Sequence, residues 1–234
     1  MLQEKSENEI IELKTHFENH KKLIIPNIFK DEEIEKIHRF LTRLLPQYWI
    51  CATCVKKDRL ELPLADKRNA LRIKMVNEAF GRNEFAYYFY RTFNANPLQY
   101  SPIEYELRNY MSSQVFIEFL NNITNLTLTK LNTLFVSKYT SNCFLSTHND
   151  SGNGRIAFVL HLTKDWKPQY GGHLHFLDTS RTKIIETFTP TFNTLMIFEV
   201  PPKTENSDGG IPHFVGHVSP NVSIPRISIT GWYQ

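Results

Sequence analysis

Apolar residues in the first third of the chain recur at helical spacing. Ile10, Leu13 and Phe17 would share one face of a first helix. A second helix is predicted to begin near Asp31, where acidic side chains suit the positive end of the helix dipole. Pro46 stops this helix, because proline cannot continue the hydrogen-bond pattern. Its apolar stripe would be formed by Ile34, Ile37, Leu41 and Leu44.

The next part of the chain is less regular. Residues 55–74 carry seven basic and three acidic side chains, a pattern that is most often a solvent-exposed face. The aromatic-rich run 85–93 is typical of a β-strand. Ser101, Pro102 and Glu104 have the signature of a capping box with proline at the first helical position, so a further helix should start there.

From Leu131 onward the pattern changes to short β-type runs separated by Gly, Pro, Asn and Asp. Eight such runs at this spacing are typical of a double-sheet jelly roll. The predicted fold class is therefore α+β, with a cupin-like double-stranded β-helix as core and N-terminal buttressing helices. Residues 1–130 would form an extension packed on the core of residues 131–234, as one structural domain overall. The predicted strands are 132–139, 142–148, 155–163, 172–177, 183–189, 193–199, 213–219 and 226–233.

Composition and charge narrow the class of protein only slightly. The 27 basic and 24 acidic residues give a net charge of +3, which is too small to indicate nucleic-acid binding by itself. The N-terminal residues lack the apolar core of a signal peptide, and the apolar runs are too short to span a bilayer. Three cysteines form no disulfide framework, so we expect a cytoplasmic protein without a membrane partner. The oligomeric state stays open.

A metal site is indicated where a predicted strand enters the turn Ser151-Gly-Asn-Gly. His148 and Asp150 lie two positions apart just before this turn, so extended backbone would point both side chains the same way. Two imidazoles and one carboxylate on one face of iron leave three positions open, which oxygen chemistry needs. The second imidazole must come from elsewhere, and His217, 67 residues after Asp150, would supply it.

The last predicted strand carries an arginine in an otherwise uncharged run. If its face lines the barrel interior, the buried Arg226 needs an anionic partner. A dicarboxylate cosubstrate would supply one, because a guanidinium can bind a carboxylate through two hydrogen bonds. Strand alternation places on this one face Arg226, Ser228, Thr230 and Trp232.

The linked order of these motifs resembles the prolyl 4-hydroxylase-like branch of the Fe(II)/2-oxoglutarate dioxygenases. The motifs are His-x-Asp, a distal histidine, and an arginine in a strand that ends in Trp-Tyr. Between them stand Arg155-Ile-Ala-Phe-Val-Leu-His-Leu-Thr-Lys-Asp-Trp and Tyr170-Gly-Gly-His-Leu-His-Phe. Over residues 135–233 the sequence is similar to hypoxia-factor prolyl hydroxylases, ribosomal-protein prolyl hydroxylases and their bacterial relatives.

The resemblance implies the iron ligands. His148 and Asp150 fill the family's His-x-Asp motif, and His217 would be the distal histidine. His213 is its rival, since both lie in the same short run. The nine-residue step to Arg226 and the following Val218 favour His217, which would leave His213 as a loop residue near the cleft mouth.

The resemblance also implies a cosubstrate site. Arg226 would bind the tail carboxylate of 2-oxoglutarate, and Tyr139 would form a hydrogen bond with the cosubstrate. His161 stands where the family often has a tyrosine near the same carboxylate, which is a departure from the family pattern. The remaining predicted contacts are Leu174, as a pocket-lining residue, and Ser228 and Thr230, on the strand face of Arg226.

The implied function is hydroxylation of a prolyl residue in a protein or peptide, coupled to decarboxylation of 2-oxoglutarate to succinate. Fe(II), 2-oxoglutarate and O2 would be the cofactors, with ascorbate as an additional candidate. Residues 55–74 would border the substrate cleft, and the polar loop 201–211 would act as a lid. The enzymatic alternative is a hydroxylase of a free amino acid or another small molecule.

Two alternatives come from other classes. A non-catalytic sensor module that binds metal and 2-oxoglutarate would keep the fold, but it would be expected to lose a ligand, and all three are present. An oxidiser of nucleic acid should show a strongly basic groove, which the net charge disfavours.

Other metal-like patterns have ordinary interpretations. His173 and His175 alternate along one strand but lack a suitably spaced glutamate, so both are predicted to lie on the strand surface. Cys51 and Cys54 have no second pair with which to form a zinc site.

Overall fold

The computed structural model describes residues 1–92, 100–202, 204 and 209–234. The end of the predicted aromatic strand, Phe93, and the centre of the predicted lid loop 201–211 lie outside these residues. Among the described helices, none is both long enough and apolar enough to cross a membrane.

Five α-helices occur in the described ranges. The predicted stripe of the second helix is buried, and the fourth helix begins where Ser101 Oγ accepts the backbone N–H of Glu104 at 3.3 Å. The third helix lies in the charged stretch and was not predicted, because its buried face includes the polar Asn69 and Arg72. The helices are α1 (Glu7–His20), α2 (Asp31–Thr42), α3 (Arg68–Gly81), α4 (Pro102–Met111) and α5 (Gln114–Thr124).

The described strands number twelve, and the last eight correspond one to one with the eight predicted strands. The first four are β1 (Lys22–Pro26), β2 (Trp49–Val55), β3 (Asp58–Pro63) and β4 (Ala86–Thr92). The next four are β5 (Leu131–Tyr139), β6 (Phe144–His148), β7 (Ile156–His161) and β8 (Leu174–Leu177). The last four are β9 (Ile184–Phe188), β10 (Thr194–Glu199), β11 (His213–Val215) and β12 (Arg226–Tyr233).

The strands pair antiparallel in one curled sheet. The order is β1–β10–β7–β12–β5–β4–β6–β11–β8–β9, and the β2–β3 hairpin is attached through β4. β12 lies between β5 and β7, so that Arg226 is opposite Tyr139 and Ser228 is opposite His161. This curled half-barrel with helices against it confirms the predicted double-stranded β-helix fold.

Two apolar clusters fix the curvature of the sheet. On the outer face, residues of α1, α2, α4 and α5 pack against alternate residues of the central strands, including Ile156, Leu160 and Ile229. The Tyr233 hydroxyl donates to the Met111 carbonyl at 2.8 Å and ties the end of β12 to α4. On the inner face, the cluster surrounds a cavity and includes Phe198. Helices α1, α2, α4 and α5 therefore cover one face of the sheet, whereas α3 packs with the second cluster through Val76 and Ala79.

Gly231 permits close packing of β12 between its neighbours. A Cβ atom there would lie 2.0 Å from the Thr133 carbonyl oxygen and 2.7 Å from the Phe158 ring. We expect Gly231→Ala to lower the free energy of unfolding by about 3 kcal/mol, because backbone and a buried ring must both shift. Thermal unfolding followed by circular dichroism should show a Tm lower by about 6–12 °C.

The control for this prediction is Gly81→Ala, at the end of α3. An added Cβ there has no atom within 4 Å, so the Tm should stay the same or rise slightly. Equal Tm values for the two variants would contradict the packing role of Gly231.

Candidate metal and cosubstrate site

Adjacent strands bring two histidines and one aspartate together. His148 ends β6, and its direct partner in the β6–β11 register is His213. Asp150 follows two residues after His148, where the chain leaves the strand for the turn. The His148 and His213 ring centroids are 4.2 Å apart. Asp150 and His213 are buried, and His148 is partly accessible from the cavity.

Ring hydrogen bonds orient both imidazoles. His148 Nδ1 lies 3.0 Å from the Ser146 carbonyl oxygen, and His213 Nδ1 lies 2.8 Å from the Ile211 carbonyl oxygen. A carbonyl only accepts, so each Nδ1 carries the proton and each Nε2 presents its lone pair. Burial, with a further contribution from His213, lowers the pKa of His148 and favours the neutral imidazole that binds metals.

The three side chains fit a divalent transition metal. His148 Nε2 lies 3.6 Å from Asp150 Oδ1, and His213 Nε2 lies 3.5 Å from Asp150 Oδ2. Ligand atoms at right angles around an ion, each about 2.1 Å from it, are about 3 Å apart. A small contraction would therefore suffice to hold the ion. Two imidazoles and one carboxylate are the donor set of non-haem Fe(II) oxygenases, with the remaining positions open.

The structure corrects the predicted distal ligand, because His213 and not His217 joins His148 and Asp150. The ring of His217 is exposed and stacks on Phe144 at 4.1 Å between centroids, outside the cavity. Its carbonyl accepts the Gly172 backbone N–H at 3.0 Å.

The chain leaves β11 at Val215, so strand alternation no longer directs this side chain inward. The prediction relied on spacing to Arg226, and the loop between the two elements makes that spacing variable.

Arg226 is a buried cation without an acidic partner among the described residues. Its side chain is 2% exposed, and its Nε has no hydrogen-bond partner. No acidic side chain of the described residues forms an ion pair with it, and its guanidinium lies 4.9 Å from the centre of the Tyr139 ring. Burial lowers the pKa of this guanidinium and raises that of the Tyr139 phenol. Leaving a buried cation unpaired is costly, so this position is suited to binding an anion.

The groups behind Arg226 are polar, and only some of them form hydrogen bonds. Ser228 Oγ and Ser137 Oγ lie 2.8 Å apart and bond to each other. His161 is 2% exposed, and neither of its ring nitrogens has a partner. Burial, together with the charge of Arg226, lowers the pKa of His161 well below its usual range, so the imidazole is neutral. A neutral imidazole without a hydrogen-bond partner among the described residues thus lies near the guanidinium.

One cavity of about 370 Å³ connects the metal ligands with Arg226. The predicted residues Tyr139, Leu174 and Thr230 line it, whereas His217 does not. His161 and Ser228 are buried beside Arg226 without lining the cavity. The aromatic run 85–93 was predicted only as a strand, and alternate side chains in it, Phe85, Tyr87 and Phe89, also line the cavity. The aromatic lining consists of Phe85, Tyr87, Phe89, Phe135, Tyr139, Phe158, Phe198 and Trp232.

A double-stranded β-helix with two histidines and one carboxylate in the same cavity as a buried arginine resembles the arrangement in iron- and 2-oxoglutarate-dependent oxygenases. Residues 134–234 match the family model described as the 2OG-Fe(II) oxygenase superfamily. This match confirms the resemblance that the sequence motifs indicated. Fe(II), 2-oxoglutarate and O2 are the cofactors of this family, and His148, Asp150 and His213 form the candidate iron site.

The sequence is also similar to a curated prolyl hydroxylase. The chain is 30% identical over 124 residues to prolyl 3-hydroxylase OGFOD1 of Xenopus laevis, a match that covers 51% of this chain and 23% of that protein. The chain thus spans about a quarter of the length of this curated relative.

Solved structures show the same fold. An oxidoreductase of the 2OG-Fe(II) oxygenase family from Burkholderia pseudomallei aligns with a TM-score of 0.61 at 12% identity, over 100% of this chain and 93% of that one. A Pseudomonas putida prolyl-4-hydroxylase aligns with a TM-score of 0.56 at 15% identity, over 96% of this chain and 98% of that one.

Proposed function

We propose that this protein is an Fe(II)- and 2-oxoglutarate-dependent dioxygenase that hydroxylates a prolyl residue of a protein or peptide. The observation that carries the proposal is the buried Arg226, which has no acidic partner in the part of the chain that the structure describes and lies in the same cavity as the three candidate metal ligands. The similarity to a prolyl 3-hydroxylase supports the prolyl substrate. A cytoplasmic location stays a prediction.

Different residues of the cavity would bind the metal and the cosubstrate. His148, Asp150 and His213 would hold the metal from one side, so that its open positions face the cavity. Arg226 would bind the distal carboxylate of 2-oxoglutarate through two hydrogen bonds. With Fe(II) bound, O2 would be the oxidant: one of its oxygen atoms would enter succinate as 2-oxoglutarate loses carbon dioxide, and the other would be added to the substrate.

Two backbone carbonyls and the aromatic lining would also contribute to the site. The Ser146 and Ile211 carbonyls keep the Nδ1 protons in place, so that neither imidazole has to change its tautomer when the metal binds. The aromatic lining keeps water away from the reacting atoms and leaves a surface on which a prolyl ring can pack.

Anaerobic reconstitution with Fe(II) and 2-oxoglutarate tests this function. We expect a weak visible charge-transfer band, followed by succinate release when oxygen is admitted. Asp150→Ala should lose both signals, because it removes the carboxylate ligand, while circular dichroism shows that the fold is retained. A folded wild-type protein that shows the band but never releases succinate would instead be a binding module, and the proposed activity would be wrong.

A further inference from the structure

The outer part of the cavity has an aromatic wall. Neighbouring ring centroids are 5.9 Å apart for Phe85 and Tyr87, 5.5 Å for Tyr87 and Phe89, and 6.4 Å for Phe89 and Phe135. Trp232 continues the wall at 6.1 Å from Phe135, and its buried indole Nε1 has no hydrogen-bond partner among the described residues. Grooves with this character bind proline-containing segments, because aromatic faces accept the ring and an indole N–H can donate to a peptide carbonyl.

The two acidic side chains of β3, on the β2–β3 hairpin beside this wall, both form ion pairs. Glu61 accepts two hydrogen bonds from Arg91 Nη2, at 2.7 and 2.8 Å, which neutralises both residues. Asp58 accepts from Arg72 Nη1 at 2.7 Å. Both acids of β3 are therefore already paired with other arginines.

Arg59 lies between these two acids along β3. Its side chain is exposed and lines the cavity that contains the metal ligands. Across the hairpin it stands opposite Cys54, whose thiol donates to the Lys56 carbonyl at 3.4 Å. In the described part of the chain, no carboxylate lies within ion-pair distance of it. Among the described residues that line the cavity, Arg59 is thus an exposed cation without a carboxylate partner, whereas the buried Arg226 belongs to the proposed cosubstrate site.

We propose that the substrate is a peptide segment with an acidic side chain close to the target proline, and that Arg59 binds this side chain. The proposal rests on the proposed function and specifies its substrate class. An acidic partner gains a charge-assisted hydrogen bond at Arg59, whereas a basic one meets an uncompensated cation. One cation at the mouth favours a single carboxylate over the repeated phosphates of a nucleic acid, whose binding needs several cations in a row.

A charge-scanning peptide set tests the proposal. Each peptide contains one proline, and a single position from three residues before it to three residues after it is Glu, Gln or Lys. Hydroxylation is measured by mass spectrometry as kcat/KM. For the wild type, we expect the Glu peptide to exceed the Gln peptide about 3- to 10-fold at one or two positions, with the Lys peptide the poorest. In Arg59→Glu, the order of the Glu and Lys peptides should be reversed.

Lys57→Glu is the matched control. It makes the same change in charge on the same hairpin, but Lys57 does not line the cavity, so the wild-type order of peptides should persist. Equal turnover of the three peptides at every position would overturn the proposal, and so would a preference that survives in Arg59→Glu. Succinate release with oxidation of an oligonucleotide but of no peptide would also overturn it. A wild-type protein without succinate release would refute the proposed function itself.

Discussion

Replacing His213 by alanine should abolish metal binding, whereas replacing His217 should leave it intact. His213 Nε2 lies 3.5 Å from Asp150 Oδ2, and its Nδ1 is held by the Ile211 carbonyl, so its lone pair faces the proposed metal position. Loss of a residue that only orients a ligand costs about 10- to 100-fold in metal affinity. Loss of the ligand itself should therefore lower the metal affinity at least about 100-fold and abolish succinate release.

Isothermal titration of each variant with Mn(II) under anaerobic conditions measures this difference. The His217→Ala protein should bind the metal within about 3-fold of the wild type, because its exposed ring packs on Phe144 and Phe80 outside the cavity. The opposite result, with binding lost in His217→Ala and kept in His213→Ala, would restore the ligand that the sequence motif suggested. Thermal unfolding of the metal-free proteins controls for loss of the fold.

The eight core strands could be predicted because each combines a short apolar run with turn-forming residues on both sides. The same alternation placed Arg226 and Thr230 on the inner face, where the structure has them. His148 and Asp150 could be paired from their two-residue separation alone. These features depend on local geometry, which can be predicted from a single sequence.

The features that were missed depend on contacts between distant segments. Helix α3 buries Arg72, whose partner Asp58 lies on β3, so its inner face does not look apolar in the sequence. The choice between His213 and His217 depended on the β6–β11 register and on the length of the loop before β12. Spacing in sequence does not reveal either quantity, because a loop can gain residues without moving the strands that it connects.

Replacing Arg226 by methionine should have opposite effects on stability and on cosubstrate binding. In the wild-type protein without cosubstrate, the guanidinium is buried with no acidic partner among the described residues, which costs free energy of folding. Methionine fills a similar volume without a charge, so the Tm of the protein without cosubstrate should rise by several degrees. Binding of 2-oxoglutarate should weaken by about 100-fold or more, since two charge-assisted hydrogen bonds are lost.

A comparison of two ligands makes this prediction specific. 2-Oxopentanoate has the same chain length as 2-oxoglutarate but lacks the distal carboxylate, so it should bind the Mn(II)-loaded wild type more weakly than 2-oxoglutarate does. Its affinity should be nearly the same for the wild type and for Arg226→Met. Titration calorimetry with both ligands would separate a role at the distal carboxylate from a general loss of the cavity. If both ligands weaken equally, Arg226 shapes the cavity and does not bind the carboxylate. If the Tm without cosubstrate falls, the buried charge has a partner that stabilises it, and the main argument for an anion site at this position fails.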